Sequence, residues 1–304
     1  MARFFYACYN YIFLNKSKNC SHILLQIVNE SKNTNHISVN AVYCVLIRKF
    51  INQNKMSKRY LYTLIICFSS QLFFAQTEKE IIENYIENTG GAKAWNKLQG
   101  IKMSAKVSQG GMEIPIEVIE LRDGRQMTII NFQGKEMKQG VYDGTRLWGH
   151  NFMTMEAEES DAESTANFKL ELNDFPNAFV DYENKGYTVE LLGKETIDGT
   201  ETFKIKLVTE PQMIDGKEEE SVSFYFFDTE NFVPIAMQAE IKSGQAKGMI
   251  AETKFSDYDE VDGLYFPFSM TQGVKDQPGQ PITFSSIEVN PKIDDAEFAF
   301  PEKK

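Results

Sequence analysis

Apolar and polar residues alternate over much of the chain beyond residue 100, which is the pattern of β-strands with one buried and one solvated face. In residues 112–118, Met, Ile, Ile and Val occupy every second position, and Glu and Pro fill the positions between. The stretch 202–207 repeats this alternation. Asp-Gly pairs suit the positive φ angles of tight hairpin turns, and they separate such runs at Asp123, Asp143, Asp198, Asp215 and Asp262.

Further apolar or β-branched runs bring the number of predicted strands to about a dozen. They lie at 101–109, 126–132, 187–193, 221–227, 233–241, 248–257, 264–271 and 282–289. We predict a mainly β fold with helices, in which the strands form one large, curved antiparallel sheet. An incomplete β-barrel is expected because curvature towards closure reduces the exposed strand edges that invite aggregation.

Helical sequence occurs in two places. Thr77 and Glu80 have the spacing of a capping box, and an apolar stripe follows before Gly90, which is typical of a helix end. The second place is the Ala- and Glu-rich segment 153–182, here called the insert, which interrupts the strand pattern. We predict an N-terminal helix and a helical insert that lies as a lid across the mouth of the curved sheet.

Residues 56–75 have the order of a secretory signal peptide, with a methionine, two basic residues, an apolar run and then Ala75 before polar sequence. The alternative is a transmembrane anchor, which needs about 20 apolar residues. This run is shorter and is interrupted by two serines and a glutamine. We expect cleavage between Ala75 and Gln76.

Residues 1–55 precede a signal that the export machinery reads at an N-terminus. They hold nine asparagines and a single acidic residue, without sustained apolar periodicity. We interpret them as upstream sequence ahead of a start at Met56, the alternative being a disordered leader. The predicted organisation is therefore an extension of residues 1–55, a signal peptide of residues 56–75 and one domain of residues 76–304.

Cleavage at this point would leave a strongly acidic chain. Residues 76–304 hold 23 of the 32 Lys and Arg residues and 42 of the 43 Asp and Glu residues, a net charge of −19. Nucleic acids are not expected as partners, since their binding depends on basic patches. All four cysteines precede residue 76, so the domain depends on an apolar core and not on disulfides.

Few side chains suited to catalysis or metal binding lie in this domain. His150 is its single histidine, which leaves no set of His and Cys ligands for zinc, and no phosphate-cradling, dinucleotide or G-x-S-x-G motif is present. Acidic runs such as 156–164 leave a paired-carboxylate hydrolase open, although such runs are usually solvated surface. We expect no enzyme activity, no cofactor, no metal, and a backbone partner for His150 at a strand end.

Three stretches resemble the LolA/LolB lipoprotein carriers. VYDGTRLWGHN at 141–151 resembles a strand-turn-strand of that family, with a hydrophobic strand, Asp-Gly, two residues and Leu-Trp. LRDGRQMTI at 121–129 is similar to the preceding hairpin, and DDAEFAFP at 294–301 resembles the closing strand. Together with the N-terminal helix, the similarity covers nearly all of residues 76–301.

The resemblance implies an incomplete antiparallel β-barrel, covered by helices, that shelters acyl chains of lipoproteins in transit across the periplasm. It also implies that an arginine just before the second hairpin turn, Arg122 by motif, bonds to the helical lid and governs its opening. The family usually has proline where this chain has Asp123, so the transfer of this role depends on the turn geometry. The alternative for Arg122 is a solvated hairpin arginine.

Composition also favours an apolar cavity. Ten methionines and sixteen phenylalanines lie in residues 76–304, and Met-rich apolar surfaces adapt to varied ligands. Ordinary core packing is the alternative for these side chains. The candidate cavity residues are Met112, Ile114, Ile116, Val118, Ile129, Trp148, Phe224, Phe226, Phe266 and Phe268.

Three functional classes follow. The first is an exported periplasmic carrier, soluble after signal cleavage, that takes acyl chains of lipoproteins or other lipids from a membrane-bound loading protein to an accepting one. The second is a periplasmic binding or sensing module on the same scaffold, which recognises a protein or an envelope lipid without shuttling it. The third is an exported hydrolase. We expect the first.

Overall fold

Thirteen strands form a single antiparallel sheet in the computed structural model, which describes residues 76–109 and 111–301. The predicted signal peptide, its last residue Ala75 and the extension 1–55 lie outside the described residues. The strands are β1 (Gly100–Gln109), β2 (Met112–Leu121), β3 (Gln126–Phe132), β4 (Lys135–Tyr142), β5 (Leu147–His150), β6 (Ala157–Glu159), β7 (Thr188–Ile197), β8 (Thr200–Ile214), β9 (Lys217–Asp228), β10 (Pro234–Glu240), β11 (Ile250–Val261), β12 (Leu264–Val274) and β13 (Gln280–Val289).

The strand order along the sheet is β6-β5-β4-β3-β2-β1-β13-β12-β11-β10-β9-β8-β7. Neighbours in the sheet are neighbours in sequence, except that β1 also pairs with β13 and so joins the two halves of the chain. The strands β6 and β7 are the two edges, so the sheet is not closed. The predicted fold class, a mainly β fold built on one open antiparallel sheet with helices, is confirmed.

Alternate connections lie at the same end of the sheet because each strand runs antiparallel to its neighbours. The end called here the loop end carries the connections at residues 111, 133–134, 151–156, 215–216, 241–249 and 275–279. The opposite end, called the helix end, carries the turns at residues 122–125, 143–146, 198–199, 229–233 and 262–263.

Two N-terminal helices, α1 (Glu78–Asn88) and α2 (Ala92–Lys97), pack on one face of the sheet, which we call the inner face. The predicted capping box is present, since the Thr77 side chain accepts from the Glu80 N–H and the Glu80 carboxylate accepts from the Thr77 N–H. The apolar stripe of α1 is buried against the sheet. The capping box therefore begins the helix, and burial of its apolar stripe holds it in place.

The junction of α1 and α2 is attached to the helix end of β12. The backbone N–H of Tyr265 donates to the carbonyl oxygen of Thr89 over 3.1 Å. Gly90 has a φ of 118°, and a Cβ atom there would lie 2.2 Å from the carbonyl oxygen of Gly263. Only glycine permits both the positive φ and this close approach, so Gly90 fixes where the helices sit.

The larger hydrophobic core lies between the helices and the inner face. Trp95 of α2 meets Phe266 of β12 edge to face, with ring centroids 5.5 Å apart. The buried residues of this core are Ile81, Ile82, Tyr85, Ile86, Trp95, Leu98, Ile101, Ala105, Phe179, Val180, Tyr187, Phe203, Ile205, Leu207, Phe227, Leu264, Phe266, Phe284 and Ile287.

A second core lies on the opposite, outer face of strands β2 to β5. Its buried residues are Ile119, Met127, Val141, Trp148 and Phe298. The last of these belongs to a 3-10 helix at Asp295–Phe298, so the prediction of a closing strand at 294–301 is wrong. The segment forms a helical turn instead, because Asp294 caps it and its phenylalanine is buried on the sheet face.

The insert is only partly helical. It contains the edge strand β6, the helix α3 (Ala162–Glu171) and a 3-10 helix at Leu172–Asp174. Asp161 begins α3 by accepting a hydrogen bond from the N–H of Ser164 over 2.7 Å. The prediction of a helical insert thus holds for its middle, while the residues on either side form strand and turns. Residues Ala75–Lys304 make one compact unit that contains both cores.

Candidate functional site

Apolar side chains continue along the inner face from the helix-covered core towards the loop end. Ile114 of β2 lies opposite Val107 of β1, which lies opposite Ile282 of β13, and Ile282 pairs in turn with Met270 of β12. Directly paired residues share a face, so these four form a row across neighbouring strands. Val107, Ile282 and Met270 are only half-buried, which leaves accessible apolar surface at the loop end.

The structure does not bring all ten candidate cavity residues together. Six lie on the inner face, namely Met112, Ile114, Ile116, Val118, Phe266 and Phe268. The other four lie on the outer face, namely Ile129, Trp148, Phe224 and Phe226. Because a sheet separates its two faces, these two sets cannot line one cavity.

The outer-face position of the β9 phenylalanines follows from its pairing with β8. Phe226 lies opposite Lys204, whose ammonium nitrogen is 5.3 Å from the ring centroid, and the same nitrogen is 5.2 Å from the centroid of Phe224. Tyr225 and Phe227 alternate with them and point to the inner core. The β9 side chains on the inner face are therefore Tyr225 and Phe227, neither of which was among the predicted cavity residues.

Polar contacts attach α3 to the β8–β9 hairpin at the loop end. The Asn167 side chain donates to the carbonyl oxygen of Met213 over 2.6 Å and accepts from its N–H over 2.8 Å. The Glu163 carboxylate accepts from the N–H groups of Asp215 and Gly216 over 3.0 and 2.9 Å. No residue of α3 is buried. Displacing α3 therefore exchanges these protein hydrogen bonds for hydrogen bonds to water.

Two apolar contacts and one cation–π contact place the insert over the other half of the sheet. The Phe168 ring lies 5.2 Å from that of Tyr142 in β4, centroid to centroid. Leu172 packs so closely on the β2–β3 turn that a Cβ atom on Gly124 would be 2.9 Å from its Cδ1. The guanidinium of Arg122 lies 5.5 Å from the ring centroid of Phe175. The insert thus reaches from the β8–β9 hairpin to strands β2 to β4.

Phe179 anchors the C-terminal part of the insert in the inner core. It is 3% exposed. Its ring centroid lies 4.8 Å from that of Tyr225, 5.3 Å from that of Phe227 and 6.1 Å from that of Tyr85. The insert therefore has a buried attachment at Phe179 and a polar, exposed attachment at α3.

Arg122 hydrogen bonds to the C-terminal end of α2. Its Nε donates to the carbonyl oxygen of Leu98, and one terminal nitrogen donates to the carbonyl oxygens of Trp95 and Asn96 over 3.2 and 3.1 Å. A cation is favourable there because the carbonyls at a helix C-terminus carry a partial negative charge. Arg122 is therefore hydrogen-bonded to α2 and lies against Phe175 of the insert, although the residue is exposed.

The neighbouring Arg125 makes a separate set of contacts. Its guanidinium pairs with Asp123 at 2.8 Å and with Asp295 of the C-terminal segment at 2.5 Å. Asp123 thus holds Arg125, while Arg122 reaches α2. These contacts keep the pKa of the Asp123 carboxyl below its usual range, chiefly through the hydrogen bond from Arg125.

Several acidic side chains meet where the insert joins the sheet. The hydroxyl of Tyr187 donates to Asp174 over 2.8 Å, and the Asn173 side chain donates to Glu210 over 3.0 Å. Burial raises the pKa of both Glu171 and Asp174, and the charge of Asp174 adds to the effect on Glu171. Ionisation of these two carboxyl groups is therefore less favourable in the folded protein than in the unfolded chain.

Replacing Glu171 by glutamine is expected to raise the melting temperature at pH 7. A carboxyl whose pKa is raised in the folded state contributes stability that is fully present below its unfolded pKa and is lost as the pH rises through the folded value. The amide keeps the hydrogen bond from Gln212 and removes the charge. The advantage of the variant should vanish by about pH 4, near the unperturbed pKa of Glu.

Thermal unfolding of both proteins between pH 4 and 8 measures this effect. Glu83→Gln, on the exposed side of α1, removes the same charge outside the insert and serves as the control. An equal gain in both variants would assign the effect to net charge and not to this site.

Sequence reasoning also missed Glu120, which pairs with Ile101 and so lies on the inner face. Burial raises the pKa of its carboxyl. His150 was predicted correctly, since its Nδ1 accepts from the backbone N–H of Lys138 over 2.9 Å at the end of β5. Within residues 76–109 and 111–301, no group of His, Cys, Asp and Glu side chains is arranged to hold a metal ion.

Two surface clefts of about 370 and 530 Å³ lie beside α3 and α2 respectively. Neither is lined by any of the ten candidate residues. None of the helices in the part of the chain that the structure describes has the length and hydrophobicity of a membrane span. The half-buried row from Val107 to Met270 is therefore not part of either cleft.

Fold and site together define a class, the open antiparallel barrels whose apolar inner face is covered by helices. Solved structures of a LolA superfamily protein and of a lipoprotein-sorting protein domain are among those that the chain resembles. No protein-family model and no curated protein matches the chain.

Three solved structures illustrate the similarity. A DUF1329 family protein from Desulfovibrio piger is 14% identical with a TM-score of 0.46, over 74% of this chain and 98% of that one. A LolA superfamily protein from Nitrosomonas europaea is 12% identical with a TM-score of 0.45, over 74% and 98%. An outer membrane lipoprotein-sorting protein domain from Vibrio parahaemolyticus is 10% identical with a TM-score of 0.43, over 72% and 94%.

Proposed function

We propose that the protein is an exported carrier that shelters acyl chains of lipoproteins or other lipids on its inner face. In this proposal it crosses the periplasm between membrane-bound loading and accepting proteins. The observation that supports it best is the half-buried apolar row from Ile114 to Met270 at the loop end. This row lies on the same face as the helices, and polar contacts hold α3 of the insert on the β8–β9 hairpin.

Opening of the insert is the step that would admit cargo. Its helix α3 bridges the two halves of the sheet and has no buried residue of its own, so its release breaks the polar contacts of Asn167 and Glu163 and the contact between Phe168 and Tyr142. Phe179 stays in the core and keeps the insert attached. An acyl chain would then replace α3 over the inner face and cover the half-buried side chains of β1, β2, β12 and β13.

The available free energy is sufficient for useful binding. Burying one methylene contributes about 0.8 kcal/mol, so an acyl chain of about 16 carbons offers on the order of 12 kcal/mol before losses. Ordering and association cost several kcal/mol, which leaves binding that is micromolar or somewhat tighter. Salt should change the affinity little, because apolar burial has no ion pair to screen.

Displacement of a fluorescent fatty acid analogue tests the proposal. We expect the wild-type protein to bind the probe, and Phe268→Asp, on the inner face, to weaken binding about tenfold, since a carboxylate would have to be buried beside the acyl chain. Phe224→Asp is the matched control, because it makes the same change on the outer face. It should leave binding within twofold of wild type.

The outcomes separate the alternatives. Absence of probe binding, or equal losses in the two folded variants, would contradict the carrier proposal and favour the protein-binding module. Delivery is tested separately, by mixing delipidated protein with labelled lipoprotein and acceptor membranes. A carrier extracts and delivers the label, whereas a sensing module only binds it.

A further inference from the structure

Exposed apolar side chains are concentrated at the loop end of the sheet. Among the residues that the structure describes, eight large apolar residues are exposed, and six of them lie in or next to the loop-end connections, namely Met112, Phe152, Met153, Met213, Met249 and Ile250. Met153 is 94% exposed and Phe152 is 65% exposed. The other two, Leu192 and Tyr265, lie along the edge strand β7 and at the helix end. Isolated exposed apolar residues are normal, but a set on four connections of one end marks an interaction surface.

The charge of this end differs from that of the rest of the domain. Its connections and the residues that flank them carry five lysines, Lys135, Lys217, Lys242, Lys247 and Lys275. Counted to two positions on either side of each connection, the same segments carry eight acidic residues, Glu113, Glu136, Glu156, Glu158, Asp215, Glu218, Glu240 and Asp276. The loop end therefore has a net charge of −3, and −16 of the −19 of residues 76–304 lies elsewhere.

We propose that the loop end docks on the surface of a phospholipid bilayer. The methionine and phenylalanine side chains of its connections insert at the boundary of headgroups and acyl chains, where apolar residues of peripheral proteins bind. The lysines lie beside them, and their long stems let the ammonium groups reach lipid phosphates while the apolar tips are inserted. Only this end can approach, since the strongly acidic remainder is repelled by anionic headgroups.

The arrangement fits a lipid surface better than a protein groove. The exposed side chains sit on separate connections, each with an apolar residue, a lysine or both, so each connection can insert independently into a fluid layer. Flexible methionine adapts to such surroundings. Docking rests on these loop-end residues and does not depend on acyl binding. If the protein also binds acyl chains, docking brings the loop-end part of its inner face next to the acyl chains of the bilayer.

Vesicle flotation tests the docking. Purified protein comprising residues 76–304, which contains the whole compact unit, would be mixed with phosphatidylcholine vesicles and with vesicles that also contain phosphatidylglycerol. We expect binding to both, weaker to the anionic vesicles at low salt because of the net charge, and recovered as salt is added. The double variant Phe152→Asp, Met153→Asp should bind at least tenfold more weakly.

The control is the double variant Leu192→Asp, Tyr265→Asp, which adds the same charge at exposed apolar positions away from the loop end, and it should stay within twofold of wild type. Met249→Asp, on a different connection, should weaken binding independently of the 151–156 loop. Near-UV circular dichroism checks that each variant is folded. Failure of the wild type to float, or equal losses in test and control, overturns the docking.

Two further results would also overturn it. Binding of the fatty acid probe without binding of vesicles would leave the carrier function intact and remove the membrane surface as the partner. A wild-type dimer in size-exclusion chromatography that Phe152→Asp, Met153→Asp converts to a monomer would assign the loop end to a second copy of the chain.

Discussion

Replacement of Phe179 by alanine is expected to lower the free energy of unfolding by about 3–5 kcal/mol, the usual cost of truncating a buried phenylalanine. The ring is 3% exposed and contacts Tyr85, Tyr225 and Phe227. Its removal leaves a cavity among three aromatic rings that come from α1 and β9 and cannot collapse together. Because Phe179 is the buried attachment of the insert, the closed arrangement should be lost as well.

Urea denaturation measures the change in stability, and hydrogen exchange shows whether the insert opens. Phe152→Ala is the matched control, since Phe152 is 65% exposed and its truncation should change stability by less than about 0.5 kcal/mol. A small effect at Phe179, comparable with that at Phe152, would contradict the assignment of this residue as the anchor.

Replacement of Arg122 by leucine is expected to shift the balance between closed and open forms by about 1.5–3 kcal/mol, the scale of hydrogen bonds to a charged group. The change leaves the carbonyl oxygens of Trp95, Asn96 and Leu98 without their donor and removes the cation beside Phe175. Amide exchange should rise in α2 and in the insert around Phe175. Uptake or release of acyl cargo should change with it.

Arg125→Leu is a close control, because it removes a guanidinium from the same turn without touching α2. Arg125 binds Asp123 and Asp295 and lies over the Phe298 ring at 5.1 Å. The Arg125→Leu substitution should therefore loosen the C-terminal segment on the outer face and leave amide hydrogen exchange in α2 unchanged. If Arg122→Leu altered neither exchange nor cargo transfer, Arg122 would have a structural role only.

Local rules predicted most of the secondary structure. Thr77 and Glu80 form the expected capping box because both hydrogen bonds join residues three positions apart. The Asp-Gly pairs lie at turns because Asp198, Asp215 and Asp262 adopt φ angles of 48°, 52° and 52°, and the following glycines are also positive. Alternation placed Ile114, Ile116 and Val118 on one face correctly, since Glu113 and Glu117 on the other face are polar.

The candidate site was predicted only in part, because the signal failed where both faces of a strand are apolar. Residues 224–227 of β9 are all aromatic, so alternation could not tell Phe224 and Phe226 from Tyr225 and Phe227. The pairing of Phe226 with Lys204 shows which of these rings lie on the outer face. This pairing joins residues that are 22 positions apart in the chain. The contacts of Arg122 were suggested by resemblance, and Phe179 had no signal beyond its hydrophobicity.

The sequence by itself determined the strands, the turns and the N-terminal helix of this protein, because these depend on residues that are close together in the chain. Only the tertiary structure decided which face each apolar row covers. Trp148 was predicted to line the cavity, but in the structure the C-terminal segment covers it. Its indole N–H donates to the carbonyl oxygen of Phe298 over 3.0 Å. That contact spans 150 positions, and burial over such a distance depends on the path of the whole chain and not on any local pattern.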